Sequence, residues 1–291
     1  MAVTAKDWII KQVEGFRGIY RYPNRMLGRR LNRTDLPDKT DILVIAAHPD
    51  DDVLGIGIGL HRHSLSGKRI TVTFTTNGTG ESWKAETPVS NRIAETRLRE
   101  AAEALSLIGI PSRQILCLGF PDRGTHRYLK EMADDLSFLM DILQPERIYV
   151  HSIEGGHIDH DLTSYVTQSL CAMKQYSSVY EWAEYNKMYS LGSSHIDFPP
   201  HPSAALGQKE ALFLTEQEHL LKKQMLACHK SQILPEYTAK AEVFRQAMCS
   251  DLDAQLFHHC KMNKNRLYAA ITDFNKSRTG RGNHGMHEVE Y

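Results

Sequence analysis

Within the seven residues AAHPDDD (46–52), His48, Asp50, Asp51 and Asp52 crowd together. Carboxylates packed this closely repel one another and lose hydration unless a cation or hydrogen bonds compensate. His48 and Asp51 stand three apart, so a helical turn begun here points both to one side, and Asp50, projecting elsewhere, remains free to act on water. A helix N-terminus attracts one or two acids, but that alone does not explain a His-Pro-Asp-Asp-Asp run. A second cluster, GGHIDHD (155–161), repeats the spacing, with His157 and His160 three apart and Asp159 between them. Neutral imidazole is a good zinc ligand, and a nearby carboxylate fixes a histidine tautomer or keeps the ring protonated. Two histidines and one aspartate drawn from the two clusters would hold Zn2+, or another divalent transition metal, and leave a position open for water. A hydrolytic site requires that opening.

These residues need a scaffold that brings 46–52 and 155–161 together, and the alternation of patterns supplies one. ILVIAA (42–47) is a continuous apolar run, as in a strand buried on both faces. ITVTFTT (70–76), QILCLGF (114–120) and RIYVHS (147–152) read as three further strands. Helices are predicted over about 52–66, along the Ala94, Leu98, Ala101, Leu105, Ile108 stripe, over 125–143, and from about Ile158. Gly109 ends the second of these. Such alternation implies βαβ crossovers and an α/β fold: a Rossmann-like open, mostly parallel sheet with helices on both faces. Functional residues gather at the carboxyl ends of strands in such sheets, which puts the metal site after Ala47 and Val150. Thr215 with Glu218 reads as a capping box opening a helix to about His229. The expected organisation is an N-terminal extension (1–40), a catalytic domain (41–235), and a C-terminal helical extension with a frayed tail (236–291).

Composition narrows the setting. Lys+Arg and Asp+Glu both count 35, and 41% of the residues are hydrophobic. A chain of zero net charge gives no overall electrostatic case for nucleic acid or an anionic membrane as main partner. Arg17, Arg21, Arg25, Arg29, Arg30 and Arg33 read as a solvated surface. The five cysteines are scattered and contain no C-x-x-C pair, which excludes a thiol zinc ribbon and disfavours a disulfide framework. No secretory signal is apparent and no apolar run approaches the roughly 20 residues of a membrane span, so a cytoplasmic protein is expected. His61/His63, His258/His259 and His284/His287 read as chance pairs in a chain with 15 histidines.

With these residues in view, the sequence resembles the LmbE/PIG-L zinc deacetylases. AHPDDD and HIDH are similar to that family's AHPDDE and H-x-D-H; RLREAAEALSLIG (97–109), LGFPD (118–122) and CHKSQ (228–232) extend the likeness over about 41–235. The resemblance implies His48, Asp51 and His160 as metal ligands and Asp50 as the general base. It implies His157 as the group that stabilises the oxyanion or protonates the leaving amine, with Asp159 orienting it. Arg97 matches an arginine reaching the substrate pocket, its bland reading being a salt bridge to Glu100 or Glu103. Asp122 and Ser231 match weaker positions that line or brace the pocket. Asp52 departs from the family, which has Glu there.

The implied activity is hydrolysis of the N-acetyl, or another N-acyl, amide of an amino sugar or its conjugate. That residue set suits an amide, whose poor leaving group calls for activated water, oxyanion stabilisation by an imidazolium at His157, and a proton for the amine. Trp83, Tyr180, Trp182 and Tyr185 are candidates to stack on a sugar, and Glu181 and Glu184 to bond its hydroxyls. The rival readings are a metal-dependent phosphoesterase and a non-catalytic sugar-binding protein on the same fold. A dehydrogenase is disfavoured, because GIGIG (55–59) lacks the G-x-G-x-x-G spacing and suits close helix–sheet packing instead. A homo-oligomer is compatible with the extensions at both ends.

Overall fold

A computed structural model of the chain describes residues 4–17, 36–37, 39–80, 87–200 and 208–279. The apolar runs form strands β1 (Ile42–Ala46), β2 (Ile70–Thr76), β3 (Ile115–Phe120) and β4 (Arg147–His151), followed by β5 (Val179–Ala183), β6 (Lys209–Phe213) and β7 (Ala241–Gln246). They make one sheet in the order β3-β2-β1-β4-β5-β7-β6. The first five strands run parallel, and β7 lies antiparallel to both β5 and β6. The helices are α1 (Ala5–Arg17), α2 (Asp51–Leu65), α3 (Thr87–Ser106), α4 (Leu129–Leu143), α5 (Ile158–Met173), α6 (Glu216–Ala227), α7 (Leu252–His259) and α8 (Lys264–Thr279).

Side chains alternate across a strand, and β1 shows why its whole run is apolar. Leu43 and Ile45 enter one core, shared with α4, α5, α7 and α8. Ile42, Val44 and Ala46 enter the other, shared with α2, α3 and α6. Both faces of the sheet are therefore covered. The chain leaves β1 towards β2 and β3 on one side and returns to β4 on the other, which opens a crevice at the carboxyl ends of β1 and β4.

Three expectations change. The predicted helix over 125–143 is two elements, because Tyr128 leaves helical geometry (φ −133°, ψ 21°) between a 3-10 turn at Thr125–Arg127 and α4. The extension after 235 is not purely helical: its first element is β7, which pairs on both sides within the same sheet, so residue 235 is no boundary between packed units. The N-terminal extension is in part docked. Asp7 of α1 is bonded by Arg266 of α8, and Glu14 by Arg127 and Tyr128. The arginines from 21 to 33 lie outside the described residues, as does the tail after 279. The capping box is complete, with Thr215 and Glu218 each bonding the other's backbone.

The glycine-rich start of α2 packs against the sheet as its sequence suggests. A Cβ on Gly55 would lie 2.2 Å from the indole of Trp182. One residue on, the helix breaks at Ile56 (φ −137°, ψ 21°). The N–H groups of Ile58 and Gly59 instead donate to the Glu242 carboxylate, both at 2.8 Å. The Lys222 ammonium balances Glu242 at 2.5 Å and donates to the Leu54 carbonyl at 3.0 Å; both charged side chains are fully buried. α6 and β7 are thereby fixed to the helix whose first turn carries the aspartates.

Candidate active site

β1 and β4 are hydrogen-bonded neighbours, so the turns that follow them meet at one edge. After β1 the chain turns at His48–Asp50 into α2. The His48 N–H donates to Asp51 Oδ2 at 2.6 Å, which ties the turn to the aspartate side chain. After β4, His157 caps α5 and His160 follows within its first turn.

Three donor atoms converge there. His48 Nδ1 lies 3.1 Å from Asp51 Oδ2 and 3.2 Å from His160 Nε2, and His160 Nε2 lies 3.3 Å from Asp51 Oδ2. Ligands on a tetrahedral ion with bonds of about 2.0–2.1 Å stand roughly 3.3–3.4 Å apart, so the triad has the dimensions of three corners of a tetrahedral shell. All three side chains are buried. The other face of His48 turns Nε2 towards Asp122 Oδ1 at 3.3 Å and Asp159 Oδ2 at 3.4 Å. Burial opposes charge on His48, yet Asp51 and Asp122 more than offset it and hold the imidazole well above its ordinary value. So dense a set of carboxylates calls for a cation, either a proton on His48 or a metal in the triad. The donor set of two imidazoles and one carboxylate fits zinc.

Asp50 stands beside the triad. Burial pushes its carboxyl up to about 6, against the pull of Arg97. Arg97 donates to Asp50 Oδ1 at 2.8 Å and to the Gly78 carbonyl at 2.6 Å. Gly78 is needed for this: its φ is +63°, and a Cβ would lie 2.8 Å from the guanidinium. The Arg97 pairing to Glu100 or Glu103 does not form. Glu100 instead accepts the Ser231 N–H and hydroxyl, at 2.9 and 2.6 Å, and fastens the 228–232 motif to α3.

His157 and Asp159 are arranged differently from the expected orienting pair. The Asp159 carboxylate is 4.0 Å from His157 Nδ1, beyond hydrogen-bonding reach. The Asp159 backbone N–H donates to that nitrogen instead, at 3.2 Å, so a neutral ring carries its proton on Nε2. Burial and the His48 charge bring His157 down to about 4, which favours a neutral ring over an imidazolium there. The Asp159 carboxylate is held by the Arg123 N–H and the Thr125 hydroxyl, both at 2.5 Å, and faces His48. Arg123 adopts a left-handed conformation (φ 57°) to present that N–H.

Sequence reasoning passed over His151, the last residue of β4. Its Nε2 accepts the Ala47 N–H at 3.0 Å and lies 3.3 Å from Asp51 Oδ2, and its ring stacks on His160 with centroids 4.0 Å apart. Its place at a carboxyl strand end was the available signal. Glu184 faces its other nitrogen at 3.4 Å and lines the cleft. Asp52 is fully buried with no side-chain partner for either carboxyl oxygen among the described residues, and burial raises it to about 8.

The cleft above the triad measures about 580 Å³ and includes Asp50, Arg97, Asp122, His157 and Tyr185. Of the aromatic candidates among the described residues, only Tyr185 is placed there. Trp182 is wholly buried beneath α2. Tyr180 lines a separate cavity with Tyr149 and Arg147, and Trp83 lies outside the described residues. Glu181 is ion-paired with Arg245 at 2.6 Å.

Comparison with known proteins agrees with the motif likeness. The family model described as PIG-L, GlcNAc-PI de-N-acetylase, matches residues 43–171, which span both clusters. No curated protein matches the chain. Among solved structures, a triple mutant of a deacetylase from the teicoplanin biosynthetic pathway has 19% identity and a TM-score of 0.57, over 73% of this chain and 99% of that one. The deacetylase of A40926 pseudoaglycone has 21% identity and a TM-score of 0.53, over 85% and 94%. The N,N'-diacetylchitobiose deacetylase from Pyrococcus horikoshii has 18% identity and a TM-score of 0.52, over 90% and 98%. At these identities the likeness is one of fold.

Proposed function

We infer that this chain, which carries a PIG-L (LmbE-like) segment over residues 43–171, hydrolyses the N-acetyl or a related N-acyl amide of an amino sugar or its conjugate. The observation that carries the reading is the convergence of His48 Nδ1, Asp51 Oδ2 and His160 Nε2 to within 3.3 Å of one another, beside a carboxylate gripped by a buried arginine. His48, Asp51 and His160 would hold the metal, with zinc the first candidate. When bound, the metal supplies Lewis acidity to the amide carbonyl and to water.

Asp50 is the general base in this reading. Arg97 fixes one of its oxygens, which leaves the other to take a proton from the attacking water. The water oxygen bonds to the acyl carbon, the C–N bond breaks, and the proton held by Asp50 passes to the departing amine. His157, neutral and protonated on Nε2, donates a hydrogen bond to the carbonyl oxygen as negative charge develops there. Asp122 and Asp159 set the orientation of His48 from its far side. A phosphoesterase is less well served: Asp50, Asp51, Asp122 and Glu184 face the cleft with Arg97 and Arg123 as its cations, and Arg97 is already engaged by Asp50.

The deacetylases of the teicoplanin and A40926 pathways and of diacetylchitobiose motivate N-acylated sugar conjugates as the substrates to try first. The test is amine release from a panel of N-acetylated amino sugars and glycosides by chelator-stripped protein to which zinc, cobalt or nickel is returned. Metal-dependent release of amine and acetate supports the reading. Hydrolysis of phosphate esters with no amine release overturns it.

A further inference from the structure

We propose that the cavity between α2 and the β4-β5-β7-β6 half of the sheet binds a free α-amino acid with an apolar side chain. This site is independent of the proposed hydrolysis. It shares no lining residue with the catalytic cleft, and its Arg147 is the first residue of β4, whereas the cleft lies where β4 ends. Its volume, about 310 Å³, is at the lower end for small-molecule sites, which suits one amino acid and not a nucleotide or an oligosaccharide. The floor is aromatic. Tyr149 and Tyr180 lie side by side in register on neighbouring strands, with ring centroids 5.5 Å apart. Phe244 stands across both, 6.3 Å from each at 86° and 70°. Ile56 and Leu212 add aliphatic walls.

Charge identifies the ligand. Besides the tyrosines, the titratable side chains lining the cavity are Arg62, His63, Arg147 and Glu210. Arg62 is neutralised by Glu218, at 2.7 and 2.8 Å, and also donates to the Phe213 carbonyl at 2.9 Å. Burial, reinforced by the Arg147 charge, lowers His63 below its ordinary value, so that ring is neutral. Arg147 lies over the Tyr180 ring, 4.7 Å from its centroid, and donates to Tyr149 Oη at 3.2 Å; that hydroxyl is in turn 2.9 Å from His63 Nε2. This chain fixes the guanidinium while using one of its five N–H donors. Among the described residues Arg147 is ion-paired with no carboxylate, and Glu210 with no cation. Their charges act on one another without pairing. A ligand carboxylate matches the fork of the free guanidinium, an ammonium matches Glu210, and the apolar walls take a side chain. An α-amino acid carries all three on one carbon. A simple carboxylic acid would set its charge against Glu210, and a neutral sugar would satisfy neither ion.

The test is isothermal titration calorimetry of the full chain at neutral pH with L-phenylalanine and L-leucine. Two analogues that each keep one charge, 3-phenylpropanoate and 2-phenylethylamine, are titrated beside them. Arg147→Gln and Glu210→Gln are compared with the wild type, with thermal melting as the folding control. Glu210 is exposed, so its variant remains informative if Arg147→Gln fails to fold. At least one of the two amino acids is expected to bind at a single site per chain. Each single-charge analogue, and each variant with the amino acid, is expected to bind at least about tenfold more weakly, as for loss of a charge-assisted contact. Absence of binding by either amino acid at millimolar concentration overturns the proposal, as does binding that neither variant reduces. An analogue that binds the wild type as tightly as its parent amino acid overturns it too, because one of the two charges would then have no part in recognition.

Discussion

Removing one member of the buried Lys222–Glu242 pair should be far more damaging than neutralising both. Lys222→Met leaves the Glu242 carboxylate fully buried without its cation, although the Ile58 and Gly59 N–H groups still donate to it. Glu242→Gln leaves the ammonium with the Leu54 carbonyl and the Tyr237 ring but no carboxylate, and weakens the acceptor for the two N–H groups freed by the break at Ile56. Breaking a buried pair from one side costs about 3–5 kcal/mol, whereas replacing both partners with neutral groups of similar volume is often close to neutral. At roughly 2–4 °C per kcal/mol for a chain of this size class, each single variant should melt about 6–20 °C lower. The double variant Lys222→Met/Glu242→Gln should recover most of that loss, giving a coupling energy of a few kcal/mol of the sort seen between groups in one network. Thermal and urea unfolding of the four proteins at pH 7 give the cycle. Single variants that melt within a degree or two of the wild type, or losses that simply add, would refute the assignment of this pair as the clamp on α2.

Three further outcomes follow from individual contacts. Burial raises the Asp7 carboxyl, but hydrogen bonds from His126 and Arg266 more than offset it and hold it below its usual range. Because the folded value is depressed, docking of α1 should be fully stabilised above the ordinary pKa of about 3.9 and should weaken as pH falls further; hydrogen exchange of residues 5–17 from pH 6 to 3 reads this, and exchange that does not respond to acid contradicts it. His151→Phe removes the acceptor of the Ala47 N–H and a contact with Asp51, so metal affinity by chelator competition should fall about 10–100-fold; unchanged affinity would leave His151 a packing residue. Asp52→Asn should keep the melting temperature within a few degrees and retain metal, because burial holds the carboxyl it replaces neutral and no side chain among the described residues pairs with it; loss of metal would show instead that Asp52 is charged and engaged.

What could be read in the sequence followed burial and spacing. The apolar run of β1 announced a strand covered on both faces, and the two His/Asp clusters marked the edge where β1 and β4 end. The polar edge strand β6, KEALF, is largely exposed and carries no apolar run to announce it. β7 pairs through long-range backbone bonds that its sequence does not encode locally. Individual contacts were harder still. Arg97 prefers Asp50, 47 residues away, to the acids of its own helix, because only the folded sheet edge brings a desolvated carboxylate within its reach. Asp159 turns to His48 because the Arg123 N–H and Thr125 hydroxyl fix its carboxylate there, and no spacing rule connects those loops.

The most direct measurement of the central claim is the paired metal content and turnover of the wild type and Asp50→Asn, each reconstituted with zinc after chelation. The structure separates the three converging donors from the carboxylate that Arg97 holds. The expected result is therefore equal metal, near one ion per chain, in both proteins, with amine release from an N-acetylated substrate reduced at least a hundredfold in Asp50→Asn. Loss of metal in Asp50→Asn, or turnover that survives the substitution, would contradict the division between ligand triad and general base.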